Sequence, residues 1–169
     1  WLGDLPLAPI AGGIAAGAVA LVLIITVNIR TVQADTYYKQ GMGYEENGQY
    51  DGAVMLYDQA ALHEPNEDYY YLFLGRALLE FSSSLPQTGA ASLPVDASQL
   101  ATSDLLAQTD ALLSRYLAGQ IAPNQEEVMR AAHLVLEGAQ RLNPLNTDHT
   151  ANLARLYRTW AFAKAVNPA

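Results

Sequence analysis

Apolar residues follow two patterns along this chain: one unbroken run near the N-terminus and a helical period after it. The run extends from Leu7 to Ile29, 23 residues without a charged side chain, and Arg30 ends it. At about 1.5 Å of rise per residue, such a helix is roughly 34 Å long, enough to cross the hydrocarbon core of a bilayer. A secretory signal has a shorter apolar core and a cleavage motif of small residues. The run therefore predicts a membrane span, with a buried core helix as the alternative.

The first half of this run is rich in small residues. Gly13 and Gly17 have the spacing that lets a second helix approach closely, so we predict that both pack against another helix. Residues 19–29 are bulky and partly β-branched. Small residues are also common in membrane spans generally. The pattern leaves open whether the helix lies in lipid or bundles with copies of itself in a filament core.

From residue 34 onward, apolar residues recur every three or four positions, which indicates amphipathic helices. The polar stretch 46–49 predicts a turn, with Gly48 as the C-cap of the first helix. A second helix follows and ends at Pro65, which cannot continue it. Its apolar positions are Ala53, Leu56, Tyr57, Ala60 and Ala61.

Gly41 and Gly75 lie 34 residues apart in the same local setting, with a tyrosine four residues before each. A period of 34 residues is typical of a helix–turn–helix solenoid unit. Residues 37–65 resemble the tetratricopeptide repeat at seven of its eight signature positions, and Gln40 is the one departure. The resemblance implies that Gly41 and Gly75 are small because two helices pack closely there. It also implies a protein that binds partners rather than one that catalyses.

The second unit, residues 68–144, is longer than the first. Pro65 and Pro144 take the same position in successive units but lie 79 residues apart, so about 45 residues are inserted. Serine, proline and glycine predict a loop at the start of this insertion. Leucines between 105 and 117 predict an extra helix, starting at Asp96 or Ser103.

The predicted fold is therefore all-α, with one apolar helix followed by a helical-hairpin solenoid. Its segments are a lead over 1–6, the apolar helix over 7–30, a first unit over 34–65, a second unit over 68–144 with an insertion at about 82–124, and the first half of a third unit over 146–169.

A narrower resemblance rests on residues 68–76 and 143–158. Both are similar to the tetratricopeptide tail of bacterial O-antigen ligase or polymerase-like membrane proteins, especially those of green non-sulfur-type bacteria. The resemblance implies that residues 7–30 are the last span of a larger protein and that the repeats lie outside the cytoplasm. Any glycan-transferring chemistry would then belong to the parent rather than to these residues.

Charge and composition exclude several function classes. The net charge of -8 arises almost entirely outside the apolar run, and an acidic surface disfavours nucleic acid and anionic headgroups. The absence of cysteine excludes disulfides and thiolate metal sites. His63, His133 and His149 show no metal-ligand spacing, and no nucleophile motif accompanies the Asp148–His149 pair. We predict no enzyme activity, metal or cofactor for this chain.

The residues around the third unit are better explained as helix capping. Asn146 or Thr147 is predicted to accept a backbone N–H at the helix start. Acidic residues beside Tyr69–Tyr71 could grip a sugar or a basic peptide, although packing tyrosines and a solvated first turn explain them more simply. Arg155 and Arg158 share a helix face and could contact an acidic ligand.

The sequence thus predicts a membrane-anchored module that binds protein partners. The candidate partner-binding positions are Tyr44, Tyr70, Arg76, Asn152 and Arg155. The alternative is a structural subunit whose apolar helices bundle into a homo-oligomeric filament or membrane assembly. Neither interpretation involves nucleic acid.

Overall fold

The computed structural model describes residues 7–86, 102–119 and 124–166, and within these ranges the chain contains six helices and no strand. The all-α prediction is confirmed. The predicted lead, residues 1–6, lies outside the described residues. The helices are α1 (Leu7–Glu46), α2 (Tyr50–His63), α3 (Asp68–Ser83), α4 (Thr102–Leu117), α5 (Gln125–Leu142) and α6 (Thr147–Val166).

α1 is one uninterrupted helix of 40 residues, so the apolar segment predicted over 7–30 and the helix predicted from residue 34 are parts of the same helix. No glycine or proline occurs between Gly17 and Gly41 to break it. Polar side chains within the apolar run bond locally: Thr26 and Asn28 donate to carbonyls four residues earlier. Burial begins only at Ala34, which is fully buried, whereas the side chains described between 11 and 33 are exposed.

α1 and α2 form an antiparallel hairpin around a close helix crossing. Gly48 ends α1 with a positive φ of 71°, as predicted for the C-cap. A Cβ at Gly41 would lie 2.7 Å from the ring of Tyr57, so only glycine allows this approach. In the same way, a Cβ at Gly75 of α3 would lie 2.5 Å from Leu136 of α5. The close packing predicted at both glycines is present.

α3 and α5 form a second hairpin, and the insertion between them contributes α4. The predicted extra helix is confirmed as Thr102–Leu117, and α5 begins at Gln125, directly after the predicted insertion. The start of the insertion is corrected, because Ser82 and Ser83 still belong to α3. Ser82 is buried and donates a hydrogen bond to the Leu79 carbonyl, which satisfies it inside the helix. α4 packs on this hairpin through contacts such as Phe81–Tyr116, with ring centroids 5.7 Å apart.

Two turns lie at the same end of these helices, and the first of them lies beside residues 31–37 of α1. The α2–α3 turn, residues 64–67, reaches α1 where Thr31 donates to Glu64 at 2.7 Å. The α5–α6 turn, residues 143–146, is joined to the start of α3 where Asn143 and Asn146 donate to Asp68. We call these two turns the proximal edge, because they lie at the end of the hairpins from which the apolar part of α1 extends. α6 then runs back from this edge and buries Leu156 and Trp160 in the common core.

Candidate functional site

Side chains of α1, α3 and α6 are connected by four polar bridges, and we call the surface carrying them the first-helix face. The α1–α3 bridges are a Tyr38–Tyr69 hydroxyl contact and a Glu45–Arg76 ion pair. The α3–α6 bridges are Asp68–His149 and Glu80–Arg155. Because no bridge joins two helices of the same hairpin, this face is where α1, α3 and the single helix α6 meet.

Aromatic rings cover the part of this face nearest the proximal edge. Phe73 packs edge-on against Tyr38, with centroids 5.0 Å apart, and against Tyr69 at 4.6 Å. Burial, together with the hydrogen bond to Tyr69, raises the pKa of Tyr38 and keeps its hydroxyl neutral. Tyr69 is 41% exposed and therefore presents an aromatic surface to solvent. The Arg76 guanidinium lies 4.2 Å from the Phe73 centroid, which extends the patch by a cation–π contact.

Glu45, Tyr57 and Arg76 form a compact network at the other end of α1. Arg76 donates twice to the Glu45 carboxylate, at 2.9 Å each, and Tyr57 donates to it at 2.6 Å. Burial disfavours the charged guanidinium, but the bonds to Glu45 outweigh this effect and raise the pKa of Arg76. Burial and the Glu45 contact likewise raise the pKa of Tyr57. A shallow depression beside this network is lined by Met42, Glu45, Glu46, Tyr50 and Arg76.

The Asp68 carboxylate accepts three hydrogen bonds at the proximal edge. His149, which is fully buried, donates through Nε2 to Asp68 Oδ2 at 2.6 Å, and Asn146 and Asn143 add bonds at 3.2 and 3.4 Å. Burial alone would raise the pKa of Asp68, but these hydrogen bonds prevail and lower it. The carboxylate therefore stays ionised and holds the start of α3 against the α5–α6 turn. Asp148 makes no such contact with His149.

The capping interpretation of the third unit is confirmed. Asn146 Oδ1 accepts the backbone N–H of Asp148 at 3.1 Å, at the start of α6. The partner of His149 is Asp68, 81 residues away, and not its sequence neighbour. No local signal in the sequence connects these two residues, because the contact exists only once α3 and α6 are packed together.

The five predicted partner-binding positions have different environments. The prediction of Tyr70 as a surface residue is wrong: it is only 7% exposed and packs against Tyr38 at 5.8 Å. Three consecutive tyrosines on a helix point in directions about 100° apart, and Tyr69 is the one of the three that faces solvent. Tyr44 is 44% exposed, with its ring against Gly52.

The other three candidates already have partners within the chain. Arg76 and Arg155 each pair with a glutamate of the neighbouring hairpin, and Asn152 donates to the Asp148 carbonyl at 2.8 Å. The positive charge of each arginine is therefore already paired with a carboxylate of this chain. Gly13 and Gly17 have no atom within 4 Å of an added Cβ, so nothing among the described residues packs against them.

A pair of carboxyl groups beneath α4 was not anticipated from the sequence. Asp58 of α2 is 5% exposed and its Oδ1 has no hydrogen-bond partner. Burial, with the charge of Asp110 on α4, raises the pKa of Asp58 to about 7, and burial raises the pKa of Asp110 as well. An aspartate in an otherwise apolar helix stripe is ordinarily assigned to the exposed face, which is why pattern analysis overlooks it.

The remaining histidines have structural partners. His133 Nε2 hydrogen-bonds with the Tyr157 hydroxyl at 2.9 Å, and burial lowers the pKa of His133 despite the nearby Glu137. His63 stacks on Tyr37 with centroids 5.4 Å apart. In the part of the chain that the structure describes, no group of three or more acidic or histidine side chains is arranged to hold a metal ion.

No protein-family model, curated protein or solved structure matches this chain. Its function is therefore inferred from the apolar helix and the first-helix face.

Proposed function

We propose that this chain is a membrane-anchored helical scaffold whose first-helix face binds a protein partner. The observation that carries the proposal is the continuity of α1. Its apolar part and its packed part are one helix, so whatever holds residues 11–33 also fixes the position of the hairpins. The resemblance to the tetratricopeptide repeat supports the partner-binding part of the proposal.

The apolar part of α1 requires an apolar environment. Its most apolar window has a mean hydropathy of 2.2 and none of it is buried, which makes α1 long and apolar enough to span a membrane. Large side chains such as Ile14 and Val22 remain 70% and 62% exposed. Burying each of them is worth about 1.5–3 kcal/mol, so the exposed helix is strongly driven into lipid or into a helix bundle.

The first-helix face has the composition of an interaction surface. Exposed Tyr69 adjoins Phe73 and Arg76, and tyrosine and arginine are enriched among the residues that dominate binding energy. The arginines are neutralised by Glu45 and Glu80, so a partner meets an aromatic surface with balanced charge. Such a surface suits a protein segment with apolar anchors better than a polyanion.

The resemblance of residues 68–76 and 143–158 to O-antigen ligase-like tails supports a more specific version. In that version, the scaffold is the extracytoplasmic tail of a larger glycan-transferring membrane protein, and it recruits a partner to that enzyme. The upstream coding sequence tests this version, because such a parent requires several further spans ahead of Leu7.

Membrane insertion is tested by charge substitution in α1. Leu21→Arg with Leu23→Arg places two cations in the apolar run, at a cost of about 2.5–3.5 kcal/mol each near the bilayer centre. We expect this variant to be released from membranes by alkaline carbonate, while the wild type and Gln40→Arg, on an exposed packed-region position of the same helix, remain bound. Equal extraction of all three proteins would contradict the anchor.

Partner binding is tested by site-specific photo-crosslinking in native membranes. A photoreactive residue at position 69 should crosslink one discrete protein, whereas the same residue at Met55, which is 47% exposed on α2, should not. Phe73→Ala, with the photoreactive residue still at 69, should reduce the yield. Equal crosslinking from positions 55 and 69 would assign the contacts to non-specific encounter.

A second candidate function rests on Gly13 and Gly17, which have open space around them. Bundling of α1 with copies of itself through these glycines would make the chain a structural subunit. Sedimentation in detergent distinguishes the two functions: a monomer supports the anchor, and a large particle that Gly13→Ile with Gly17→Ile dissolves supports the bundle.

A further inference from the structure

The packed part of the molecule is joined to α1 almost at the end of the apolar run. Glu64 of the α2–α3 turn accepts a hydrogen bond from Thr31, only two residues after Ile29. Two residues correspond to about 3 Å along the helix axis. The polar layer on each side of a bilayer is roughly 5–8 Å thick. If Leu7 to Ile29 occupies the hydrocarbon core, the α2–α3 turn therefore lies at headgroup depth.

The second turn of the proximal edge is held at the same end of the molecule. Asp68, the first residue of α3, accepts bonds from Asn143 and Asn146, and His149 is buried against it. The α5–α6 turn consequently cannot move away from the α2–α3 turn without breaking this cluster. The tip of that turn, Leu145, is 90% exposed, more than any other large hydrophobic residue described.

Taken together, the two turns of the proximal edge are acidic, and Arg30, which directly precedes Thr31 in α1, is the exposed cation nearest to them along that helix. Residues 64–67 and 143–146 contain no lysine or arginine, and Glu64 and Glu67 flank the first turn. Glu67 is exposed, and Asp148 of the adjoining helix start is exposed as well. Carboxylates are repelled by the negative surface potential of anionic headgroups, whereas zwitterionic headgroups carry no net charge.

Given the membrane insertion proposed above, we propose that the proximal edge lies in the headgroup layer of the bilayer that α1 spans, with Leu145 entering that layer and Glu64 and Glu67 facing zwitterionic headgroups. The opposite end of the hairpins then points away from the membrane. The α1–α2 turn follows Glu46, 15 residues beyond Thr31 and about 22 Å farther along α1. Partner binding on the first-helix face would take place between these two levels.

Depth-resolved fluorescence tests this arrangement directly. The chain has no cysteine, so one introduced cysteine carries one environment-sensitive dye. The three sites are Leu23→Cys in the apolar run, Leu145→Cys at the proximal edge and Gln49→Cys at the far turn. Each labelled full-length protein is reconstituted into phosphatidylcholine vesicles, and quenching by lipids spin-labelled in the headgroup or in the acyl chain is measured.

We expect acyl-chain quenching at position 23, headgroup quenching with a blue-shifted emission at position 145, and neither at position 49. Membrane helices tilt by about 20° on average. Because Leu145 lies away from the axis of α1, such a tilt changes its depth, so headgroup quenching at position 145 is a demanding test of the contact. Quenching at position 23 together with equal, weak signals at 145 and 49 would overturn the edge contact but leave the anchor intact. Loss of quenching at position 23 would overturn the anchor itself.

Lipid charge provides the second test. Replacing part of the phosphatidylcholine by phosphatidylglycerol should weaken headgroup quenching at position 145. Glu64→Gln with Glu67→Gln should restore it, by about fivefold in partition for each charge removed. Glu64→Gln keeps an oxygen that accepts from Thr31, and circular dichroism of the variant verifies the fold. Quenching that increases with phosphatidylglycerol content would contradict the proposed headgroup preference.

Discussion

Asp58 is buried and Asp68 is half-buried, yet their environments have opposite effects on the carboxyl pKa. Asp68 lies at the proximal edge and accepts bonds from His149, Asn143 and Asn146, so its pKa is lowered. Asp58 lies under α4 with an unpartnered oxygen and Asp110 nearby, so its pKa is raised to about 7. Burial disfavours both charges, and the supply of donors decides the sign of each shift. The hydrogen bonds to Asp68 therefore stabilise the contact between α3 and α6 at neutral pH. The packing of α4 beside Asp58, in contrast, becomes less stable as the pH rises.

The largest effect is expected from removing His149, the donor closest to the Asp68 carboxylate. His149→Ala leaves a cavity at a fully buried position and removes the shortest of the three hydrogen bonds to Asp68, so we expect the free energy of unfolding to fall by about 3–5 kcal/mol. Thermal unfolding of the full chain in detergent, followed by circular dichroism, measures this. Asp148→Ala, at the exposed neighbouring residue, is the matched control and should have a much smaller effect. Equal losses of stability in the two variants would mean that His149 contributes no more than an exposed residue of the same helix start.

The pH dependence of stability tests Asp58. Its folded-state pKa exceeds that of an unfolded aspartate, so the stability it allows is fully present below about pH 4 and is lost as the pH rises through about 7. We expect a loss on the order of 2–3 kcal/mol across that window, after allowance for structural relaxation. Asp58→Asn should flatten the profile and raise the melting temperature at pH 8. A wild-type profile unchanged by this substitution would mean that the carboxyl is solvated.

The opposite pH dependence is expected from Asp68. Because its folded-state pKa is lowered, its contribution is present above the ordinary pKa of aspartate and disappears as the pH falls through the lower value. Asp68→Asn should remove about 1 kcal/mol at neutral pH and make the acid limb of the unfolding profile shallower. An acid limb as steep as that of the wild type would place the responsible carboxylate elsewhere.

The smallest effect is expected at the partly exposed bridge between α3 and α6. Arg155 pairs with Glu80, and such pairs contribute about 0.2–1 kcal/mol. Arg155→Ala should therefore lower the melting temperature slightly, and the difference should shrink at high salt. Arg158→Ala, one turn away and exposed, serves as the control. A loss above about 2 kcal/mol would require a role beyond the ion pair.

Much of the helical architecture was predictable because it depends on local periodicity. The glycine at 48 ended α1 as expected, the leucines of 105–117 formed α4, and Asn146 capped α6. The segments predicted over 7–30 and from residue 34 form one helix, because a change from an apolar to an amphipathic pattern does not interrupt backbone hydrogen bonding. Only a glycine, a proline or a competing cap would do so.

The surface candidates were less predictable than the helices. Tyr69, Tyr70 and Tyr71 are identical as residue types, and only the rotation of α3 against its neighbours exposes the first and buries the others. Likewise Arg76 was predicted as a partner-binding position, and only the structure shows that its guanidinium pairs with Glu45, 31 residues earlier. Such pairs cannot be predicted from sequence spacing, because their two residues belong to different hairpins.

The sequence alone determined that this chain is helical, that Leu7 to Ile29 is long and apolar enough to span a membrane, and that Gly41 and Gly75 lie where helices cross. These properties follow from side-chain size and hydrophobic period, which act within one or two helical turns. The tertiary structure alone decided which of the two aspartates is stabilised in its ionised form, and which turn lies beside the end of the apolar part of α1. Those outcomes depend on atoms brought together from distant positions, such as Asp68 and His149, and no local pattern encodes them.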